Sequence, residues 1–101
     1  MSAPLLTVIV PAYNSEDYLD RALTMLVGYG DELEAIVVND GSKDRTAEIA
    51  DEWAARYPSV KVIHQENKGH GGAVNAGLAA ATGTHVRVVD SDDWLDRRAT
   101  N

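Results

Sequence analysis

The sequence predicts an α/β chain in which a mainly parallel sheet carries helices on its faces. Two observations point there. Short β-branched runs alternate with stripes of helical period, giving β-α-β-α-β-α-β within 101 residues. The connections are short, and parallel strands joined by helices with right-handed crossovers are the economical way to link such units.

The first strand is Leu5-Leu6-Thr7-Val8-Ile9-Val10, apolar on both faces and ended by Pro11, which cannot donate to a ladder. Ala12-Tyr13-Asn14 makes the turn, and Asn14 or Ser15 is placed to cap a helix with Glu16 and Asp17 in its first turn. Leu19, Ala22, Leu23 and Leu26 then recur at helical spacing, closed by Gly28 and Gly30. Ala35-Ile36-Val37-Val38 is the second strand and Asn39-Asp40-Gly41-Ser42 its turn, with Ser42 as the expected cap. The second helix carries Ala47, Ile49, Ala50, Trp53, Ala54 and Tyr57 and stops before Pro58. Trp53 and Tyr57 on that stripe read as core. Val60 to His64 is the third strand, and Gln65 to Gly72 reads as a loop. An alanine-rich helix follows and ends at Gly83, with Asn75 and Gly77 placed to hold it against the sheet. Thr84 to Val89 is a fourth strand that reads as buried. The whole is a Rossmann-like three-layer α/β/α arrangement.

Composition narrows the function classes. A net charge of −7 opposes nucleic acid as a main partner, since phosphate contacts need clustered Lys and Arg. It also means that a phosphorylated ligand needs a divalent cation or helix N-termini to neutralise it. Without cysteine there is no disulfide framework or thiolate metal site. No apolar run approaches the roughly 20 residues of a membrane span, and Met1-Ser2-Ala3-Pro4 lacks a signal peptide's features. The expected compartment is the cytoplasm.

Four polar turns, at Tyr13-Asn14, Asp40–Ser42, Lys68–Gly72 and Asp90–Asp93, all follow strands. In a parallel sheet they share one edge, where ligands of open α/β sheets bind. Asp90, Asp92 and Asp93 supply hard oxygen donors suited to Mg²⁺ or Mn²⁺ shared with a diphosphate, although a solvated turn is an equal reading of three acids in four residues. Asp40 is placed to accept a hydrogen bond from a nucleotide base or ribose, or is simply turn chemistry. Asn67-Lys68-Gly69-His70-Gly71-Gly72 resembles a phosphate cradle, with a flexible loop an equal reading; Val74 stands where the dinucleotide fingerprint needs its third glycine, and no Gly-Lys-Ser/Thr follows for a Walker pattern. His64 and His70 have no third nitrogen or sulfur ligand nearby, which argues against a transition-metal site.

The order of these pieces carries more than any one of them. Val8-Ile9-Val10-Pro11-Ala12-Tyr13-Asn14, Val37-Val38-Asn39-Asp40-Gly41-Ser42-Lys43-Asp44, Asn67-Lys68-Gly69 through Asn75-Ala76-Gly77, and Asp90-Ser91-Asp92-Asp93-Trp94-Leu95 resemble glycosyltransferase family 2. The match runs in register from about Leu5 to Leu95. The resemblance implies the N-terminal, nucleotide-sugar-binding part of a GT-A fold. Pro11, Ala12, Tyr13 and Asn14 would wall the nucleoside pocket, Asp40 would contact the base, and Lys68 and Gly69 would line the donor site. Asp90 and Ser91 would hold the ribose, and Asp92, then Asp93, then Asp90 would ligate Mn²⁺ or Mg²⁺. The implied activity is transfer of a sugar, with inversion, from a nucleotide-diphospho-sugar (a UDP-sugar is preferred) to an acceptor the sequence does not identify.

In that family the general base and the acceptor-binding half lie beyond the Asp-x-Asp motif. Residues 1–101 are therefore expected to be a donor-binding part of a longer enzyme, inactive alone and prone to self-association along an open sheet edge. The rival from another class is a nucleotide-binding module without catalysis. A nicotinamide oxidoreductase fails at Pro11-Ala12-Tyr13-Asn14, which has no glycine for a pyrophosphate. A sugar-nucleotide pyrophosphorylase fails for want of a basic, glycine-rich loop after the first strand.

Overall fold

A computed structural model describes residues 4–89. The strands are β1 (Leu6–Ala12), β2 (Leu33–Asp40), β3 (Val60–Gln65) and β4 (His85–Val88), and the helices are α1 (Leu19–Val27), α2 (Thr46–Arg56) and α3 (Gly69–Ala80). The strands form one sheet in the order β3-β2-β1-β4, and every pairing is parallel. Leu6 pairs with Leu33 on one side and with His85 on the other. The chain thus builds outward from β1 to β3 and then crosses back, placing a topological switch between β1 and β4.

Alternation along the strands makes two cores. Val8, Val10, Ala12, Leu33, Ala35 and Val37 pack with Leu19, Leu23 and Leu26 of α1 and Ile49 and Ala50 of α2. Ile9, Ile36 and Val38 face the other way, against Ala73 of α3 with Ala76 and Ala80 at its margin. The alanine stripe lets α3 lie close, and Gly77 lets it lie closer still. A Cβ at Gly77 would come within 2.4 Å of Ile9 Cγ2. Asn75 is exposed.

Several boundaries differ from the sequence expectation, each for an identifiable reason. β1 continues through Pro11 to Ala12. Ile9 O accepts from Val89 N, so Pro11, two residues on, turns its missing donor to the β4 side, where pairing ends at Val88. α2 starts at Thr46, because Asp44 accepts from the Thr46 backbone N–H (2.9 Å) and hydroxyl, while Ser42 is used elsewhere. It stops where Pro58 forces Tyr57 into extended geometry (φ −125°, ψ 116°). Trp53 packs against the core, stacks on Tyr57 with centroids 5.3 Å apart, and donates from Nε1 to Asp20 of α1 at 2.7 Å. β4, expected to be buried, is exposed throughout, with Val86 and Val88 at 40% and 41%. It lies at the sheet margin, and among the described residues α3 packs on β1 and β2 instead.

Candidate functional site

The carboxyl ends of β1 and β2 meet the start of α3 around a cleft of about 100 Å³ lined by Pro11, Ala12, Tyr13, Asp40, His70 and Ala73. Its wall is held from behind. Asn14 takes a left-handed conformation (φ 50°), donates its N–H to Ser42 Oγ (2.9 Å) and accepts from Lys43 N at Oδ1 (2.8 Å). Ser15 N donates to Thr46 Oγ1 (2.7 Å), Glu16 N to Asp44 Oδ2 (3.2 Å), and Arg45 N to Glu16 Oε1 (2.9 Å). The turns after β1 and β2 are therefore stitched together, each satisfying the other's backbone groups. Burial would raise the pKa of Asp44, but the bonds from Thr46 and from Glu16 N outweigh it and hold the carboxyl below its usual value.

Asp40 ends β2 and is 5% exposed. Its Oδ1 accepts from Gln65 Nε2 (2.9 Å) and Lys68 N (2.8 Å), and its Oδ2 accepts from Gly69 N (2.9 Å). Asp40 thus caps α3 from a strand separated from it by two elements, α2 and β3. Burial opposes its charge most strongly. The bonds from Gln65, Lys68 and Gly69, with the Lys68 ammonium, overcome that penalty and lower its pKa. The result is an ionised carboxylate at the cleft with one Oδ2 lone pair still able to accept.

Pro11, Ala12, Tyr13 and Asp40 come together as expected, with Tyr13 47% exposed at the rim. Asn14 is turned to the β2–α2 connection and acts as a brace. Lys68 and Gly69 offer their N–H groups to Asp40, and Gly69 sits at φ 83°, where a side chain would be strained. The stretch expected to be a loop up to Gly72 is already helix from Gly69, which brings His70 and Ala73 into the cleft. The sequence places His70 in a phosphate-cradle stretch and argues against it as a metal ligand; the helix start at Gly69 is the signal that puts it in the cleft. Asp90, Ser91, Asp92 and Asp93 lie outside the described residues. Among the described residues no group of three His, Cys, Asp or Glu could hold a metal ion.

The model of the family described as glycosyl transferase family 2 matches residues 7–99. The chain belongs to glycosyl transferase family 2. Uncharacterized glycosyltransferase EpsJ of Bacillus subtilis (strain 168) is 42% identical over 93 residues, which cover 91% of this chain and 27% of that protein. Mannosyltransferase PcManGT of Pyrobaculum calidifontis, solved in complex with GDP-Man and Mn²⁺, superposes with a TM-score of 0.76 at 32% identity, covering 90% of this chain and 28% of that one. TarS 1–349 of S. aureus in complex with UDP gives 0.77 at 34%, covering 93% and 31%. The four-stranded parallel sheet with its helices is thus the N-terminal part of the family's GT-A fold. This chain spans less than a third of each of these family members. Among the described residues no helix is long and apolar enough to cross a membrane.

Proposed function

We propose that this chain is the donor-binding part of an inverting, metal-dependent glycosyltransferase that uses a nucleotide-diphospho-sugar, with a UDP-sugar preferred. The cleft at the carboxyl ends of β1 and β2 carries the reading: Pro11, Ala12 and Tyr13 form a wall opposite an acceptor-only carboxylate, Asp40. That arrangement suits a flat base with an N–H to donate. PcManGT with GDP-Man and Mn²⁺ and TarS with UDP support it as similar chains of the same fold.

In this reading Tyr13 covers the base, Asp40 accepts from it, and Lys68 and Gly69 flank the donor. Asp90 and Ser91 hold the ribose. Asp92, then Asp93, then Asp90 would ligate Mn²⁺ or Mg²⁺; an all-carboxylate set matches the oxygen preference of either ion. The cation would offset charge on the departing diphosphate. An acceptor hydroxyl attacks the anomeric carbon as the bond to the diphosphate breaks, and the base that takes the hydroxyl proton belongs to the part of the enzyme after Asn101. Residues 1–101 alone are then inactive. The exposed β4 favours self-association, and a monomeric mass by light scattering at high concentration would count against it.

Thermal stabilisation by UDP, GDP, CDP and dTDP, with and without Mn²⁺, tests the proposal. At 100 times Kd, binding adds about 2.7 kcal/mol of stability. The expected result is a shift with UDP that needs Mn²⁺ and disappears in Asp92→Asn. A folded chain, and a longer protein containing it, that ignore all four nucleotides would overturn it.

A further inference from the structure

A hydrogen-bonded chain runs from the outer strand of the sheet to the turn that braces the cleft. Asp51 Oδ1 of α2 lies 2.8 Å from His64 Nε2, and His64 Nδ1 on β3 lies 3.0 Å from Asn39 Nδ2 on β2. Asn39 Oδ1 accepts from Ser42 N at 3.1 Å, and Ser42 Oγ accepts from Asn14 N at 2.9 Å. The protons in this chain can be assigned from the backbone. Ser42 N–H can only donate, so Asn39 must present its oxygen there and its NH₂ to the histidine. His64 Nδ1 must therefore accept, which leaves its proton on Nε2, facing Asp51.

We propose that His64 is a positioning residue for the cleft: as the neutral Nε2–H tautomer it orients Asn39 and, through Asn39, the Ser42 turn that holds Asn14, and protonation of its ring releases that hold. A second proton would sit on Nδ1 and oppose the Asn39 NH₂. Rotating the amide would remove that conflict but place the NH₂ against Ser42 N–H, so one bond of the chain is lost either way. The Asp51 carboxylate faces Nε2 and accepts its N–H in either charge state of the ring. Glu34 and Asp40 of β2 and Lys61 of β3 lie on the opposite face of the sheet by strand alternation. On α2, Glu48 lies 3.9 Å from Arg45, while Glu52 and Arg56 are exposed. Histidine as a residue type changes charge between about pH 5 and 8, and that is the range over which the coupling is to be read. The effect on nucleotide affinity rests on the donor-site reading above; the coupling between ring and turn does not.

Amide and histidine-ring NMR of the 101-residue chain across pH 5 to 8 tests this. The His64 ring should show the Nε2–H pattern when neutral, and the Ser42 amide should move with the same midpoint as the His64 ring. In His64→Gln the Ser42 amide should stop titrating, although His70 and His85 remain. In Asp51→Asn the Ser42 amide and the His64 ring should still share one midpoint. An Nδ1–H ring, a Ser42 amide that ignores the ring in the unsubstituted chain, or one that still titrates in His64→Gln would overturn the proposal. UDP affinity with Mn²⁺ should weaken about three- to tenfold as the ring protonates and stay flat in His64→Gln; equal profiles would overturn the link to the cleft. If no nucleotide binds at any pH, the donor reading fails, and the ring-to-turn coupling is still decided by the NMR titration.

Discussion

Glu34 and Asp40 lie on the same face of β2, six residues apart, and hold opposite ends of α3. Asp40 takes the N–H groups of Lys68 and Gly69 at the helix start. Glu34 takes the N–H and hydroxyl of Thr82 where the chain leaves the helix, together with Thr7 Oγ1 and the Lys61 ammonium. Both are buried, both carry several hydrogen bonds, and both have lowered pKa values. Only Asp40 stands at the carboxyl ends of the strands. A buried, low-pKa carboxylate does not by itself mark a site; what sets Asp40 apart is its place at the carboxyl ends of the strands, where open α/β sheets take ligands. Size is no better guide. Larger depressions of about 420 and 560 Å³ open at the amino ends, around Glu34 and beside Leu5, Leu6 and Arg87, away from the conjunction of Tyr13 and Asp40.

The comparison can be broken hardest between the two clamps. Gly77→Leu would drive a side chain into Ile9, which is fully buried, and should cost about 3 kcal/mol or more in urea unfolding, or prevent folding. Either clamp removed alone should cost about 3 kcal/mol, because Asp40→Ala and Glu34→Ala each strand several donors. The two variants should separate in function: at a temperature where both are folded, Glu34→Ala keeps nucleotide-induced stabilisation and Asp40→Ala loses it. Equal retention would remove Asp40 from the binding site.

Acid sharpens the contrast next. Burial works against the Glu34 charge, but Lys61, Thr7 and Thr82 more than compensate and bring its pKa from 4.5 to about 2. Since the folded value is the lower one, the stabilisation is complete above about pH 4.5 and is lost as the pH falls toward 2. The loss should be on the order of 3 kcal/mol. Denaturant titrations at pH 5 and pH 3 should show about 2 kcal/mol of it, and Glu34→Gln should flatten that window. Asp40 is shifted in the same direction, so residual acid sensitivity in Glu34→Gln is expected. The smallest effect should come from Thr82→Val, which removes one hydroxyl bond to Glu34 and should cost about 1 kcal/mol without touching nucleotide binding.

The strands were legible because β-branched runs between polar turns leave few alternatives, and β-α alternation then sets them parallel. The start of α3 was not. Gly69, Gly71 and Gly72 are poor helix formers, and local propensity leaves them in a loop. Asp40, 29 residues before Gly69, supplies the cap that reverses this preference. The same distance in sequence hid the stitching of Asn14, Ser15 and Glu16 to the stretch from Ser42 to Thr46, since each half alone is an ordinary polar turn. Pro11, Ala12, Tyr13 and Asp40 could be placed because residues ending adjacent parallel strands must share an edge. The exposure of β4 follows from strand order, which a run of apolar residues does not encode.

Strand order also sets a schedule for folding. β1, β2 and β3 close through successive local crossovers, whereas β4 must return to β1, pairing His85 with Leu6 across almost the whole described chain. Contacts of such long sequence separation form late, because loop closure precedes their reward. At a synthesis rate of roughly 5 to 20 residues per second, one flank of β1 waits several seconds for its partner to be made. Throughout that interval the β4-facing backbone groups along β1, among them the carbonyls of Leu5 and Ile9, stay unpaired, an open edge for a chaperone at the ribosome to cover.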